Sequence, residues 1–322
     1  MSFVSDVTSP LLSRPGAVPA NPPDVGVAGH YGDPYAEQRA LSAGEALVDL
    51  SHRPVLRIAG PDRLSWLHSL LTQHLTSLAP GEWTQALVLS LHGHVEHHLM
   101  LVDDGTQVLA HVEPGTLGSL MEYLERMRFR LRVEIEDVTS SYAVVHQGGA
   151  DRFLPRASLA GLEGPLAGIG AYEALRVAAR RPRLGLDTDH RTIPHEVGWL
   201  GSAVHLDKGC YRGQETVARV YNLGRPPRRL VLLHLDGSDS ELPVSGDAVQ
   251  LDGRDVGRVG TAVRHHELGP VALAVVKRQV PDDAVLVAGT VAASIDPEPA
   301  FSAPVSPARQ AAAARAGLLR RR

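Results

Sequence analysis

Lys208-Gly209-Cys210-Tyr211-Arg212-Gly213-Gln214-Glu215 gathers the scarcest side chains of this 322-residue sequence into one loop. It holds the single cysteine and one of two lysines, the other being Lys277. Elsewhere Arg supplies the fixed positive charge. A compact ammonium beside the thiol is something a planar guanidinium does not imitate. Gly209 and Gly213 permit close backbone approach or positive φ. The run continues through Thr216-Val217-Ala218-Arg219-Val220 as a first helical turn or a strand. A thiol beside a cation near a helix start has a lowered pKa. The commoner fate of a lone Cys is that of an inert small apolar side chain.

Working outward, 43% hydrophobic and 21% charged residues describe a soluble globular protein. The length calls for two or three domains. A net charge of -4 offers no broad basic surface for nucleic acid. One cysteine excludes an internal disulfide framework and fits a reducing, cytoplasmic compartment. It also excludes a thiolate zinc or iron–sulfur site built by one chain alone. No apolar run reaches the length of a membrane span, and the N-terminus lacks a secretory signal pattern. Residues 1–34 and 297–322 read as disordered tails, the second rich in Arg (Arg309, Arg315, Arg320, Arg321, Arg322).

Between the tails, residues 34–46 read as a helix, 47–51 and 54–60 as strands. An amphipathic helix after Pro61-Asp62 turns Leu64, Leu67, Leu70 and Leu71 inward. Three strands follow at 82–91, 94–102 and 107–112, separated by turn signals at His92-Gly93 and Asp103-Asp104-Gly105. A helix from Pro114 to Arg128, strands at 132–137 and 142–147, and a helix at 172–180 complete this part. Residues 148–170 carry no clear period. Helices crossing an antiparallel sheet predict α+β rather than doubly wound α/β. Beyond Pro226-Pro227 come short β-like runs at 229–235, 248–251, 255–263, 271–276 and 285–287, the spacing of a small barrel.

The octapeptide, followed by Ala218-Arg219, resembles the signature of the YgfZ family, folate-binding proteins similar to the T-protein (aminomethyltransferase) of glycine cleavage. The T-protein pattern has Asp where this chain has Cys210. Leu47-Val48-Asp49-Leu50-Ser51, Ile58-Ala59-Gly60-Pro61-Asp62, Arg181-Pro182-Arg183 with Asp187, and Ile193-Pro194-His195-Glu196 agree in order. The resemblance covers roughly residues 35–295. It implies two ferredoxin-like halves around a central hole, spanning residues 35–225, and a C-terminal β-barrel at 226–296. It also implies tetrahydrofolate as ligand and a role in iron–sulfur cluster assembly or repair, with client or assembly proteins as partners.

Candidate residues follow from both sources. Cys210 as thiolate can attack an electrophile, receive sulfur or lend one metal ligand, with Lys208 lowering its pKa. The resemblance places Glu196 near a pterin, where a carboxylate accepts two N–H bonds. Tyr211 can stack on a planar ring and Gln214 can hydrogen-bond it. Arg219, foremost among Arg219, Arg225, Arg228 and Arg229, suits a glutamate-tail carboxylate. His92, His94, His97 and His98 invite a metal, but strand alternation splits them. Those on one face, with Glu96, span roughly 13 Å, too far to share one ion. In aminomethyltransferases the matching strand carries a catalytic Asp; here His97 or His98 occupies its place. A pterin-contacting Glu of that family matches Ala178. Without those acids, stabilisation of a cationic aminomethyl intermediate is weakened. The sequence therefore favours a folate-binding accessory protein over an aminomethyltransferase or one-carbon demethylase, with a partner-binding scaffold as a third reading.

Overall fold

The computed structural model describes residues 8–224, 226–238 and 241–298. The chain runs through β1 (Val18–Pro19), β2 (Ala28–His30), α1 (Pro34–Ser42), β3 (Leu47–Asp49), β4 (Val55–Ala59) and α2 (Arg63–Leu70). Then come β5 (Trp83–Leu89), β6 (Val95–Asp103), β7 (Gln107–His111), α3 (Leu117–Arg128), β8 (Glu134–Asp137), β9 (Tyr142–Gln147) and β10 (Ala150–Pro155). β11 (Leu166–Ala167), α4 (Ile169–Ala178) and α5 (Gln214–Leu223) lead to β12 (Arg228–Leu235), β13 (Ala248–Leu251), β14 (Arg254–His265), β15 (Gly269–Lys277), β16 (Val285–Ala288) and β17 (Val291–Ile295).

Two sheets form the body, in the orders β5-β6-β7-β4-β8 and β10-β9-β3-β11. β3 and β4 are neighbours in sequence yet lie in different sheets, so residues 50–54 cross between the halves. The first sheet turns Leu56, Ile58, Leu99 and Leu101 onto Leu67 of α2 and Leu120 and Leu124 of α3. Their period of two meets a helical period of 3.6, which gives each element one apolar face. The second sheet packs Val48 and Val144 against Leu41 of α1 and Ile169 and Ala171 of α4. Strands β12 to β17 close a barrel filled by Val231, Leu233, Val259, Leu286 and other small aliphatics. A further cluster, with Leu89, Val95, Trp199, Leu230 and Leu273, welds body to barrel. The fold is therefore α+β with a small C-terminal barrel.

Residues 8–34 correct the expectation of a disordered tail. Leu11 is buried and Asp24 forms a two-pronged ion pair with Arg183 while hydrogen-bonding His52. Buried Glu37 accepts from the backbone N–H groups of Tyr31 and Gly168, tying the strap to α4. Gly168 lies so close to Gly29 that a Cβ there would sit 2.2 Å from its carbonyl oxygen. Composition shows Pro, Gly and Ser; the ion pair that pins them is 159 residues away in sequence. The Arg-rich stretch from Arg309 lies outside the described residues, as does Arg225.

Candidate functional site

A cavity of about 500 Å³ lies between the two body sheets, within the range of about 300–1,000 Å³ typical of small-molecule sites. β5 contributes Trp83 and Gln85, β6 His98, and the segment between α4 and α5 Trp199. The His98 and Trp199 rings lie 4.8 Å apart, and His98 Nε2 is 2.8 Å from Gln85 Oε1. Trp83 stacks at 5.1 Å on Phe153. Trp83, His98 and Trp199 give the cavity its aromatic lining. Its mouth reaches exposed Gly149 and Ala150.

The other lining groups are polar. Asp151 holds two histidines, His111 Nε2 at 2.9 Å and His146 Nδ1 at 2.6 Å. Burial alone would raise its pKa, but those hydrogen bonds hold it well below the usual carboxylate range. Glu113 accepts from Arg183 Nε at 3.0 Å and Nη2 at 2.6 Å. Burial opposes its ionisation, yet the charges of Arg53 and Arg183 bring its pKa down to about 2. Arg53 is only 4% exposed, lies 5.4 Å from the Tyr172 ring centre, and has Nε and Nη2 without hydrogen-bond partners. Behind this wall Arg176 joins Glu173, Asp187 and Thr261, linking α4 to β14 of the barrel. Among the described residues, Glu113 and Asp151 are the carboxylates at the cavity wall, and both oxygens of Asp151 and one of Glu113 are taken by internal partners.

The sequence candidates sit elsewhere. Cys210 is exposed and is not part of the cavity wall. Lys208 Nζ donates to the carbonyls of His68 and Leu71 at the C-terminal end of α2, where a cation satisfies orphan carbonyls. Burial lowers its pKa to about 8, partly opposed by the nearby Cys210. Its ammonium is therefore committed to α2 and to the Tyr211 ring, 5.0 Å away, which accounts for Lys in place of Arg. Gln214 Oε1 accepts from the Tyr211 backbone N–H, closing the turn rather than facing a ligand. Gly213, at φ 83°, starts α5; a Cβ there would meet Ser90 O at 2.5 Å. Gly93 mirrors it, since its Cβ would meet Thr216 at 2.8 Å. The loop thus docks on the β5–β6 turn, and Arg212 pairs with Glu96 at 3.0 Å.

The expected pterin contact of Glu196 is corrected by its pairing. It is 1% exposed, and its carboxylate accepts from Arg228 Nε at 2.9 Å, Arg228 Nη2 at 2.7 Å and the Ile193 N–H at 3.1 Å. That clamp fastens the loop to the first barrel strand, while its neighbours Val197, Gly198 and Trp199 line the cavity. Tyr211, Gln214, Arg219 and His97 are likewise absent from the wall. Arg219 is exposed, and Arg229 pairs with Asp282. β6 alternates as its period demands: Val95, His97 and Leu99 are buried while His98 turns to the cavity. Of the two histidines left open by the sequence, His98 is the one at the cavity. Sequence reading missed Arg53, Glu113 and Asp151. Asp151 had a signal, an acid in the strand directly after the glycine pair Gly148-Gly149, opposite His146 in the β9–β10 register.

No protein-family model matches the chain. It is 24% identical over 275 residues to a chloroplastic protein of Arabidopsis thaliana with a provisional transferase name, covering 68% of this chain and 62% of that protein. The chain thus spans less than two thirds of that relative's length. An aminomethyltransferase of Symbiobacterium thermophilum is 24% identical over 306 residues, with 72% and 78% covered. One of Shouchella clausii is 27% identical over 291 residues, again with 72% and 78% covered. The glycine cleavage system aminomethyltransferase T from Bartonella henselae superposes with a TM-score of 0.74 at 16% identity, covering 92% of this chain and 97% of that one. The fold is that of the aminomethyltransferases.

Proposed function

We propose that this aminomethyltransferase-like chain binds a reduced folate, tetrahydrofolate, in the central cavity and acts as an accessory factor of the YgfZ type. In that role the exposed Cys210 serves iron–sulfur cluster assembly or repair from the outer face. The observation that carries the folate half is the cavity itself, lined by the aromatic rings of His98, Trp199 and Trp83 together with buried polar groups. A pterin is flat and edged with donors and acceptors, which suits a cavity lined by both aromatic and polar side chains. When bound, a reduced folate supplies a carrier for one-carbon units. His98 and Trp199 would hold it, and Asp151 keeps His111 and His146 oriented at the wall.

Aminomethyl transfer or one-carbon demethylation is the second reading, favoured by the names of the relatives. Against it stand the internal pairing of Asp151 and Glu113 and the His98 side chain where the family's strand carries an acid. Thermal unfolding with and without tetrahydrofolate tests the proposal, because a ligand bound only by the folded state raises Tm with concentration. An unchanged Tm at saturating ligand removes it. Release of formaldehyde or methylene-tetrahydrofolate from a supplied methylamine would favour the second reading. Replacing Cys210 by Ala should leave folding intact and lower cluster-dependent enzyme activities in cells; full activity would make the thiol dispensable.

A further inference from the structure

The arginines that line the central cavity are Arg53, Arg176, Arg180, Arg181 and Arg183, and all but one are already paired. Arg53 has Glu113 within 3.7 Å, Arg176 has Glu173 and Asp187, Arg180 has Asp296, and Arg183 has Asp24, Glu113 and Glu173. Arg181 forms no ion pair with any described residue, and it is exposed. Its carbonyl accepts from Arg176 Nη1 at 2.9 Å, so the backbone is held while the guanidinium stays free.

A second cavity, of about 360 Å³, adjoins the first. The two linings share His146, Gly149, Tyr172 and Arg181. The rest of the second lining is residues 41–44, at the end of α1, with Gly148 and Leu175. It includes no Asp or Glu, and exposed Glu45, next in the chain after Gly44, lies outside it. Arg181 is its one side chain with a fixed positive charge. The turn Gly148-Gly149 between β9 and β10 has φ of 60° and 81°, a backbone that keeps side chains off this rim. Gly44 lies beside it, since a Cβ there would sit 3.9 Å from Gly148 Cα. Bare backbone on both sides leaves room where the two cavities meet.

These features suit a ligand longer than the central cavity and negatively charged at its far end. An unpaired guanidinium keeps its whole fork of donors, which matches a carboxylate in two-pronged geometry. A carboxylate that reaches Arg181 meets no competing acid in the second lining. Because Arg181 is exposed, the pair forms without the heavy desolvation cost of a buried one.

We propose that the second cavity is a tail subsite, which receives the anionic extension of a ligand whose ring lies in the central cavity and anchors it on Arg181. For a reduced folate the favoured class is the poly-γ-glutamate form, whose added carboxylates raise the chance that one meets the guanidinium. Arg219, the sequence candidate for this contact, is exposed and absent from both linings. This inference rests on the folate reading of the central cavity.

The test titrates the full chain with tetrahydrofolate carrying one glutamate and with the form carrying three. The expected result at low salt is about 3- to 10-fold tighter binding of the triglutamate, the size of one solvent-exposed, charge-assisted pair. Salt at about 0.5 M should close most of that gap. Arg181→Gln should bring the two affinities within about twofold, and Arg181→Lys should keep part of the difference. Equal affinity of the wild type for both forms overturns the inference and leaves folate binding standing. A gap that persists in Arg181→Gln, or in high salt, also overturns it. So does an equal weakening by Arg181→Gln of a tetrahydropterin without a tail, which would place Arg181 at the ring. Binding of neither folate removes the folate reading and the inference together. Should Arg181→Gln fail to fold, the wild-type ratio and its salt dependence decide.

Discussion

Acidification should unfold this protein through its buried histidines before its carboxylates respond. His97 and His195 are 8% and 6% exposed, and burial pushes both pKa values down to about 4. Both ring nitrogens of His195 and Nδ1 of His97 lack hydrogen-bond partners, and burial outweighs the one opposing influence at His195, the backbone of Val217. The unfolded chain takes up these protons near pH 6.5, the folded one only near pH 4. Between those values the unfolded state binds more protons, so stability rises with pH and is lost as pH falls. At about 1.4 kcal/mol per pH step, moving from pH 6.5 to pH 5 costs about 2 kcal/mol for each histidine. About 4 kcal/mol for the pair is a large share of the 5–15 kcal/mol typical of a domain. Glu113, held at about 2, loses its contribution only below this window. Urea unfolding followed by tryptophan fluorescence at pH 7 and pH 5 measures the drop. His97→Leu should shrink it by about 2 kcal/mol. A wild-type loss below about 1 kcal/mol, or an equal loss in a His97→Leu, His195→Leu double variant, refutes the reasoning.

Other expectations concern the strap, the loop and the thiol. Asp24→Asn weakens the two-pronged pair with Arg183 and should destabilise the fold by about 3 kcal/mol, read as a lower urea midpoint; an unchanged midpoint would mean residues 8–33 add nothing. Gly213→Ala combines a φ of 83° with a Cβ 2.5 Å from Ser90 O, and should cost more than about 2 kcal/mol, whereas Gly209→Ala, with open space around it, should be nearly neutral. Cys210 should react with a chromogenic disulfide in the folded protein as fast as in urea within about tenfold, since it is exposed; complete protection would contradict its placement.

Much of the architecture was legible because it is written in short-range periods. The alternation of β6 put His97 and His98 on opposite faces, and in the structure His97 is the buried one. Barrel strands stood out by their aliphatic runs between Gly, Pro and Asp turns, although β17, with Ala292, Ala293 and Ser294, was too small-sided to be read. The octapeptide was legible as a special loop, and the docking of Gly213 on Gly93 gives the reason for one of its glycines. Its functional reading went astray where partners are remote. Lys208 looked like the thiol's cation because the α2 carbonyls it binds are 137 and 140 residues away. Glu196 looked free because Arg228 lies across the body–barrel junction. The central hole was implied by the resemblance, but most of its lining was not read, because Arg53, His111, Asp151 and Trp199 come from four separate segments, each contributing one residue.

The central claim is that the space between the sheets holds a reduced pterin, and calorimetric titration of tetrahydrofolate into the full chain tests it most directly. Saturable one-to-one binding, weakened about tenfold by Trp199→Ala through the lost ring contact and untouched by Cys210→Ala, is the predicted result. Absence of binding at millimolar ligand, or binding that survives Trp199→Ala and disappears with Cys210→Ala, would contradict it.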